Sequence, residues 1–270
     1  MAAVELVVTD LDGTLWAYDS LHQPHDTTLD AWRELERRGV PVLVATGRRV
    51  TSTREPLAAL GLAPSAVVLN GSLAIDLGTG EYFHRHHYDP VDAAAVLAVF
   101  RAHGMDPCIY VEHETIDAYV SDRPSTSPEH LAALAHRSRQ ADLDEVVATM
   151  PVLSFGIFGL DEALLAPIAA SIDARSTPMI LPDTWSDAHG LAVAPYGISK
   201  WTGVLAHCAR RGIDPTRVLA IGDSVNDVEL ITQAAIGVAV ADAHPTALAV
   251  ADHVVSTTST GGWAQLLDLI

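Results

Sequence analysis

One lysine stands among 270 residues: the chain carries 16 basic residues, and only Lys200 is not arginine. A guanidinium is a planar fork and an ammonium a compact point charge, so Lys200 marks a place where a point charge is wanted. Positive charge is scarce as a whole. Sixteen basic residues face 34 acidic ones, a formal charge of −18 at pH 7. Such a chain repels nucleic acid and anionic lipid, so neither is expected as a partner. An anionic substrate would need a local positive site, supplied by a metal, the lysine or helix N-termini. Cysteine is nearly absent: Cys108 and Cys208 are too few for a disulfide framework and read as free thiols in a reducing compartment. No apolar run approaches the roughly 18 residues of a membrane span. No basic segment followed by an apolar stretch precedes the strand-like run at Val4, so a cytoplasmic protein without a signal peptide is expected.

Apolar residues make up 49% of the chain and charged residues 19%, a globular balance. The length suits a core domain with an inserted one. The first third alternates strand and helix. Val4–Thr9 is a short β-branched run ending at Asp10. Leu29, Trp32 and Leu35 share a helical face that Gly39 terminates. Val40–Ala45 is a second strand, Ser52–Leu60 a helix, and Ala66–Leu69 a third strand closed by the turn pair Asn70-Gly71. The last third repeats the alternation, with a helix over Lys200–Arg211 capped by Ser199, a strand Val218–Ile221, a helix Asn226–Gln233 and a strand Ile236–Val240. Near-continuous apolar strands between helices imply a Rossmann-like, doubly wound parallel sheet covered on both faces. The middle differs. Paired strands at 107–111 and 115–121, later strands at 152–158, 178–181 and 191–194, and interspersed helices suggest an α+β domain inserted into the α/β core. The expected division is 1–82 with 191–270 as core and 83–190 as insertion.

Four segments lie where a ligand binds in such a sheet, at the carboxyl ends of strands. Asp10-Leu11-Asp12-Gly13-Thr14 places two carboxylates on one side of a strand exit. One can attack and the other can protonate a leaving group. Thr46-Gly47-Arg48 offers a hydroxyl and an accessible backbone N–H to an anion. Lys200 opens a helix, where ammonium and helix dipole add. Gly222-Asp223-Ser224-Val225-Asn226-Asp227 sets two acids four apart around a strand-to-helix turn, a donor set for a hard cation. Each alone also suits an ordinary loop or cap. Together, in this order at one sheet edge, they point to phosphoryl transfer. His84, Arg85, His86 and His87 share no single face and read as a solvated hairpin rather than a metal site.

These four segments resemble the motifs of the haloacid dehalogenase superfamily. The resemblance implies a Mg²⁺-dependent phosphomonoester hydrolase acting on a small phosphorylated metabolite, a sugar phosphate being the expected kind. It implies Asp10 as nucleophile and Asp12 as general acid and then base. Thr46 and Lys200 would hold the phosphoryl group. The carboxylates of Asp10 and Asp223 and the Asp12 carbonyl would hold the metal, with Asp227 ligating directly or through water. Asn226 would orient Lys200 or the phosphate. The 31 residues from 15 to 45 are too few for a domain, so the insertion falls between the second and third motifs. That arrangement resembles the Cof-like branch, whose α/β cap reads the leaving group. Thr46, Gly47, Arg48, Asn70 and Gly71 are then candidate phosphate or substrate contacts. The chain departs from the branch at Trp201, Val240, Asp242 and Trp16, where an aliphatic residue is common at the last. A phosphomutase of the same superfamily and a low-turnover phosphate-binding protein are the alternatives.

Overall fold

The computed structural model describes residues 4–183 and 188–270. In chain order the strands are β1 Leu6–Thr9, β2 Val42–Ala45, β3 Ser65–Val68, β4 Leu73–Asp76, β5 Tyr82–Arg85, β6 Cys108–Val111, β7 Ala118–Val120, β8 Ser138–Gln140, β9 Val152–Leu160, β10 Ser176–Pro182, β11 His189–Pro195, β12 Val218–Gly222, β13 Ile236–Val240 and β14 His253–Val255. The helices are α1 Asp26–Arg37, α2 Val50–Ala59, α3 Pro90–Ala102, α4 Pro128–Leu134, α5 Leu143–Thr149, α6 Glu162–Ser171, α7 Lys200–Arg211, α8 Val228–Gln233 and α9 Pro245–Leu248. They form two compact units, residues 1–85 with 199–270, and residues 86–198.

The first unit is built on one sheet, ordered β14-β13-β12-β1-β2-β3-β4-β5. Strands β14 to β3 pair in parallel. Leu6, Val7 and Val8 are all fully buried, as a central strand covered on both faces requires. On one face Leu6, Val8, Leu43, Ala45 and Val67 pack with Trp201, Val204 and Cys208 of α7 and Leu230 of α8. Gly203 allows that approach, because a Cβ there would meet Val67 Cγ1 at 2.4 Å. On α1, Trp32 stacks on Trp263 with ring centroids 5.9 Å apart. The chain winds from β1 out to β2 and β3, then returns to β12 beside β1 and winds the other way to β13 and β14. The crevice at the carboxyl ends of β1 and β12 is therefore the topological switch point, where doubly wound sheets bind ligands.

The pair Asn70-Gly71 is expected as a closing turn. Here residues 69–71 form a short 3-10 turn, and β4 and β5 extend the sheet as an antiparallel hairpin. The second unit has a six-stranded sheet, ordered β10-β11-β9-β6-β7-β8, antiparallel except for the parallel β7–β8 pair. Phe100, Phe155, Ile157, Leu165, Ile168 and Leu191 are part of its core. The expected boundary at 190/191 needs correction. It cuts through β11, which pairs along its length with β9 and β10. At the other end, residues 83–85 belong to β5 of the first sheet. Strand β8 and helix α5 go unannounced in the sequence. Both are short, and α5 shows only Leu143, Val146 and Val147 as buried positions behind an Asp142 cap. Among the described residues no helix is long and apolar enough to cross a membrane.

Candidate active site

All four motifs meet in the first unit, at the carboxyl ends of its parallel strands. Asp10 leaves β1 while its N–H still donates to Ile221 O of β12 at 3.1 Å. The chain then folds back sharply. Thr14, Leu15 and Trp16 N–H groups all donate to Leu11 O, and Gly13 N–H to Trp16 O. Gly13 sits at φ +78°, and a Cβ on it would fall 2.3 Å from Asp223 Oδ2. Only glycine satisfies both conditions. The turn thus lays Asp10 and Asp12 beside the end of β12.

Three carboxylates, Asp10, Asp223 and Asp227, each offer an oxygen within 4.8 Å of the others, and all three are buried. Lys200, 1% exposed, reaches in from the first residue of α7. Its Nζ lies 3.0 Å from Asp10 Oδ2 and 2.7 Å from Asp227 Oδ1. Burial disfavours the ammonium, but Asp10 and Asp227 outweigh it and hold Lys200 above its ordinary range. Asp227 accepts three bonds: Oδ2 from the Asp223 and Ser224 amides, each at 3.1 Å, and Oδ1 from Lys200. Asp223 accepts from Thr14 Oγ1 at 2.6 Å and Tyr18 Oη at 2.9 Å. Burial and Asp227 nonetheless push its carboxyl up to about 7. Asp10 is likewise raised, by burial first and by the neighbouring carboxylates, with Lys200 opposing. Asp10 Oδ1 is buried without a hydrogen-bond partner among the described residues.

The charges do not balance. Carboxylate pairs at such separations repel by roughly 3 kcal/mol each at an effective dielectric of 20, while each lysine contact returns roughly 5. Attraction and repulsion nearly cancel, and the hydrogen bonds to Asp223 and Asp227 offset only part of the desolvation of three carboxylates. Hard oxygen donors, an unpartnered buried oxygen and excess negative charge together fit a divalent cation such as Mg²⁺.

Thr46 follows β2 and is buried, its Oγ1 accepting from Arg48 N–H at 3.2 Å. Asn70 N–H donates to Thr46 O at 3.1 Å and Leu69 N–H to Arg48 O at 2.9 Å. Leu69 and Asn70 both hold positive φ, 49° and 52°, a strained pair fastened against the second motif. Asn70 Oδ1 accepts from Asn226 Nδ2 at 2.9 Å. Gly47 lies against this amide pair, and a Cβ there would be 3.2 Å from Asn70 Oδ1. Gly71, at φ +108°, packs on Ser199, next to Lys200. The structure therefore brings together Asp10, Asp12, Thr46, Gly47, Arg48, Asn70, Gly71, Lys200, Asp223, Asn226 and Asp227.

Arg48, expected as a phosphate or substrate contact, is paired with Asp12 here. Its Nε and Nη2 grip Asp12 Oδ2 and Oδ1, both at 2.5 Å, and Nη1 donates to Ser52 O at 2.9 Å. The fork pairs with the nearest carboxylate because the geometry is bidentate and half-buried. Two residues escaped the sequence reading as site members. Trp16 donates through Nε1 to Asp12 Oδ1 at 3.0 Å; its only signal was an aromatic ring at an unusual position. Tyr18 holds Asp223, and nothing in the sequence pairs positions 205 residues apart. His84 lies on β5, whereas His87 pairs with Glu112 at 2.7 Å in the second unit, so the histidine run forms no cluster.

The chain has known relatives. A 5-amino-6-(5-phospho-D-ribitylamino)uracil phosphatase of Bacillus subtilis is 23% identical over 98% of this chain and 94% of its own length. A phosphoglycolate phosphatase of Haloarcula marismortui is 29% identical over 96% of this chain and 94% of its own. Among solved structures, a haloalkanoate-superfamily phosphatase from Bacteroides thetaiotaomicron superposes with a TM-score of 0.82 at 20% identity, covering 99% of this chain and 95% of that one. A subclass IIB sugar phosphatase of the same superfamily gives 0.79 at 21%, covering 98% of each chain. The haloacid dehalogenase-like hydrolase family matches residues 7–267, and the chain belongs to it.

Proposed function

We propose that the chain is a Mg²⁺-dependent phosphatase that hydrolyses a small phosphorylated metabolite, a sugar phosphate in the first instance, through an aspartyl-phosphate at Asp10. The observation that carries this reading is Asp10 itself. One oxygen is anchored 3.0 Å from Lys200, and the other is buried with no partner among the described residues, open to a metal or to phosphorus. The relatives' substrates support the size class, since each named one is a small phosphorylated compound.

In this reading an Asp10 oxygen attacks phosphorus and the ester bond to the leaving oxygen breaks. Asp12 gives that oxygen its proton. Water then attacks the acyl phosphate, Asp12 takes a proton from it, and inorganic phosphate departs with Asp10 regenerated. Lys200, the Thr46 hydroxyl and the Gly47 backbone hold the transferring group, with Asn226 and Asn70 bracing one another beside it. Asp10 and Asp223 would hold the metal through their carboxylates, with the Asp12 carbonyl. Asp227 holds Lys200 and the 223–224 backbone, and it would ligate the metal directly or through water. When bound, the cation supplies charge that lets an anionic nucleophile approach an anionic phosphate. The inserted segment between the second and third motifs carries the choice of leaving group.

A phosphate-release screen over sugar phosphates, phosphoglycolate, nucleotides and cofactor phosphates tests the reading. Release that needs Mg²⁺ and stops with EDTA is expected. Release indifferent to chelation would remove the metal, and phosphate that moves within the substrate without being freed would indicate a mutase.

A further inference from the structure

Asp12 accepts three hydrogen bonds, and they are not equivalent. Arg48 supplies one to each oxygen, from a side chain 18% exposed. Trp16 supplies the third, to Oδ1 only, from an indole 1% exposed. The indole has no freedom to leave. The Trp16 N–H donates to Leu11 O, its carbonyl receives Gly13 N–H, and residues 12 and 16 form a bridge of their own. The His22 ring packs edge-on against it, with centroids 5.4 Å apart. His22 and Leu21 hold left-handed backbone, at φ 64° and 51°, so the segment after Trp16 is kept in a strained shape. Arg48 lies 5.5 Å above the same indole. An aliphatic side chain at 16 could fill the volume but could not donate.

We propose that Trp16 is a positioning residue for the acid step: its indole N–H fixes Oδ1 of Asp12 and thereby leaves Oδ2 as the oxygen that delivers the proton to the leaving group. The inference rests on the phosphatase reading above. An oxygen that bears a proton is a poor acceptor, so the oxygen held by a rigid donor stays the acceptor and the other carries the proton. Among the described residues only Arg48 holds Oδ2, and an arriving phosphate dianion competes for that guanidinium. When the fork turns to the dianion, Trp16 keeps Asp12 from swinging with it. Asp10 then forms its bond to phosphorus, the phosphorus–oxygen ester bond breaks, its electron pair stays on the leaving oxygen, and that oxygen takes the proton from Oδ2.

The test is the leaving-group dependence of kcat/KM, which reports the first displacement. Wild type, Trp16→Phe and Trp16→His are compared on p-nitrophenyl phosphate, phenyl phosphate and an alkyl phosphate. Phe removes the N–H. His restores one at the same ring position. An activated leaving group needs little acid help and an alkoxide needs it fully. Trp16→Phe should lower kcat/KM about 10-fold or more on the alkyl ester and less than about 3-fold on the nitrophenyl ester. Trp16→His should recover most of the difference. Equal losses on all three esters, or a Phe variant with the wild-type slope, would overturn the role. If Trp16→Phe fails to fold, the comparison of Trp16→His with Trp16→Leu decides by the same slope. Wild-type protein inactive on every ester would refute the phosphatase reading instead, so the two failures are distinguishable.

Discussion

Lys200 faces Asp10 at 3.0 Å and Asp227 at 2.7 Å with 1% of its surface exposed, and this explains why the chain keeps one ammonium among fifteen guanidinium groups. A planar fork is broader than the space between two buried carboxylates and would have to displace one of them. Lys200→Arg should therefore lower kcat about 100-fold or more, in the range seen when a preorganised donor to a developing charge is lost. A variant within about threefold of wild type would remove Lys200 from the chemistry. Tyr18 offers a second test. Its hydroxyl and that of Thr14 hold Asp223 from two sides. Partners of this kind orient a metal-binding carboxylate, and their loss weakens metal binding about 10- to 100-fold. Tyr18→Phe should raise the Mg²⁺ dissociation constant at least about 10-fold in a calorimetric titration of the resting protein. An unchanged constant would show that Tyr18 is incidental to the site.

The helix that presents Lys200 also carries a titrating group in its packed face. His207 on α7 is buried against Phe83 of β5, with ring centroids 5.5 Å apart. Burial, then Arg211 and Arg210, push its pKa down to about 4, against a weaker opposing pull from Asp76. The folded state thus disfavours His207⁺ relative to the unfolded chain. Its contribution to stability is fully present above about pH 6.5 and is lost as pH falls toward 4, by up to about 3 kcal/mol. His207→Leu should flatten the stability profile between those limits in urea titrations. A profile as steep as wild type would exclude His207 as a source of acid lability. The elements themselves were unequally legible. Strands β1, β2 and β12 are covered on both faces, so they read as unbroken apolar runs, and the acids at their ends stand out. The hairpin β4–β5 lies at a sheet edge with Tyr82, Phe83 and His84 half-buried, and such a mixed pattern carries little period. The two-turn helix α5 is too short to show one. The grip of Arg48 on Asp12 was not legible, because a motif names which residues meet at a strand end and not which of them pair when they arrive.

The whole molecule combines a net charge of −18 with three buried carboxylates around one ammonium, so the first unit folds against its own electrostatics. A cation that binds only the folded site stabilises by mass action, about 2.7 kcal/mol at 100 times its dissociation constant. Saturating Mg²⁺ should raise the Tm of the first unit's transition by about 5–10 °C. The same addition to Asp10→Asn should do less, because an amide oxygen is a weaker ligand than a carboxylate. A Tm indifferent to Mg²⁺ in the wild type would mean that the buried charges are compensated within the chain. If Asp10 carries phosphate during turnover, its acyl phosphate can be trapped chemically. Protein turning over an aryl phosphate with Mg²⁺ is quenched with borohydride, which reduces an acyl phosphate to an alcohol and leaves a free carboxylate intact. Peptide mass analysis should find homoserine at position 10 only in samples given both substrate and metal. Unmodified Asp10 under conditions of steady turnover, or reduction at another carboxylate, would rule out Asp10 as the phosphate carrier.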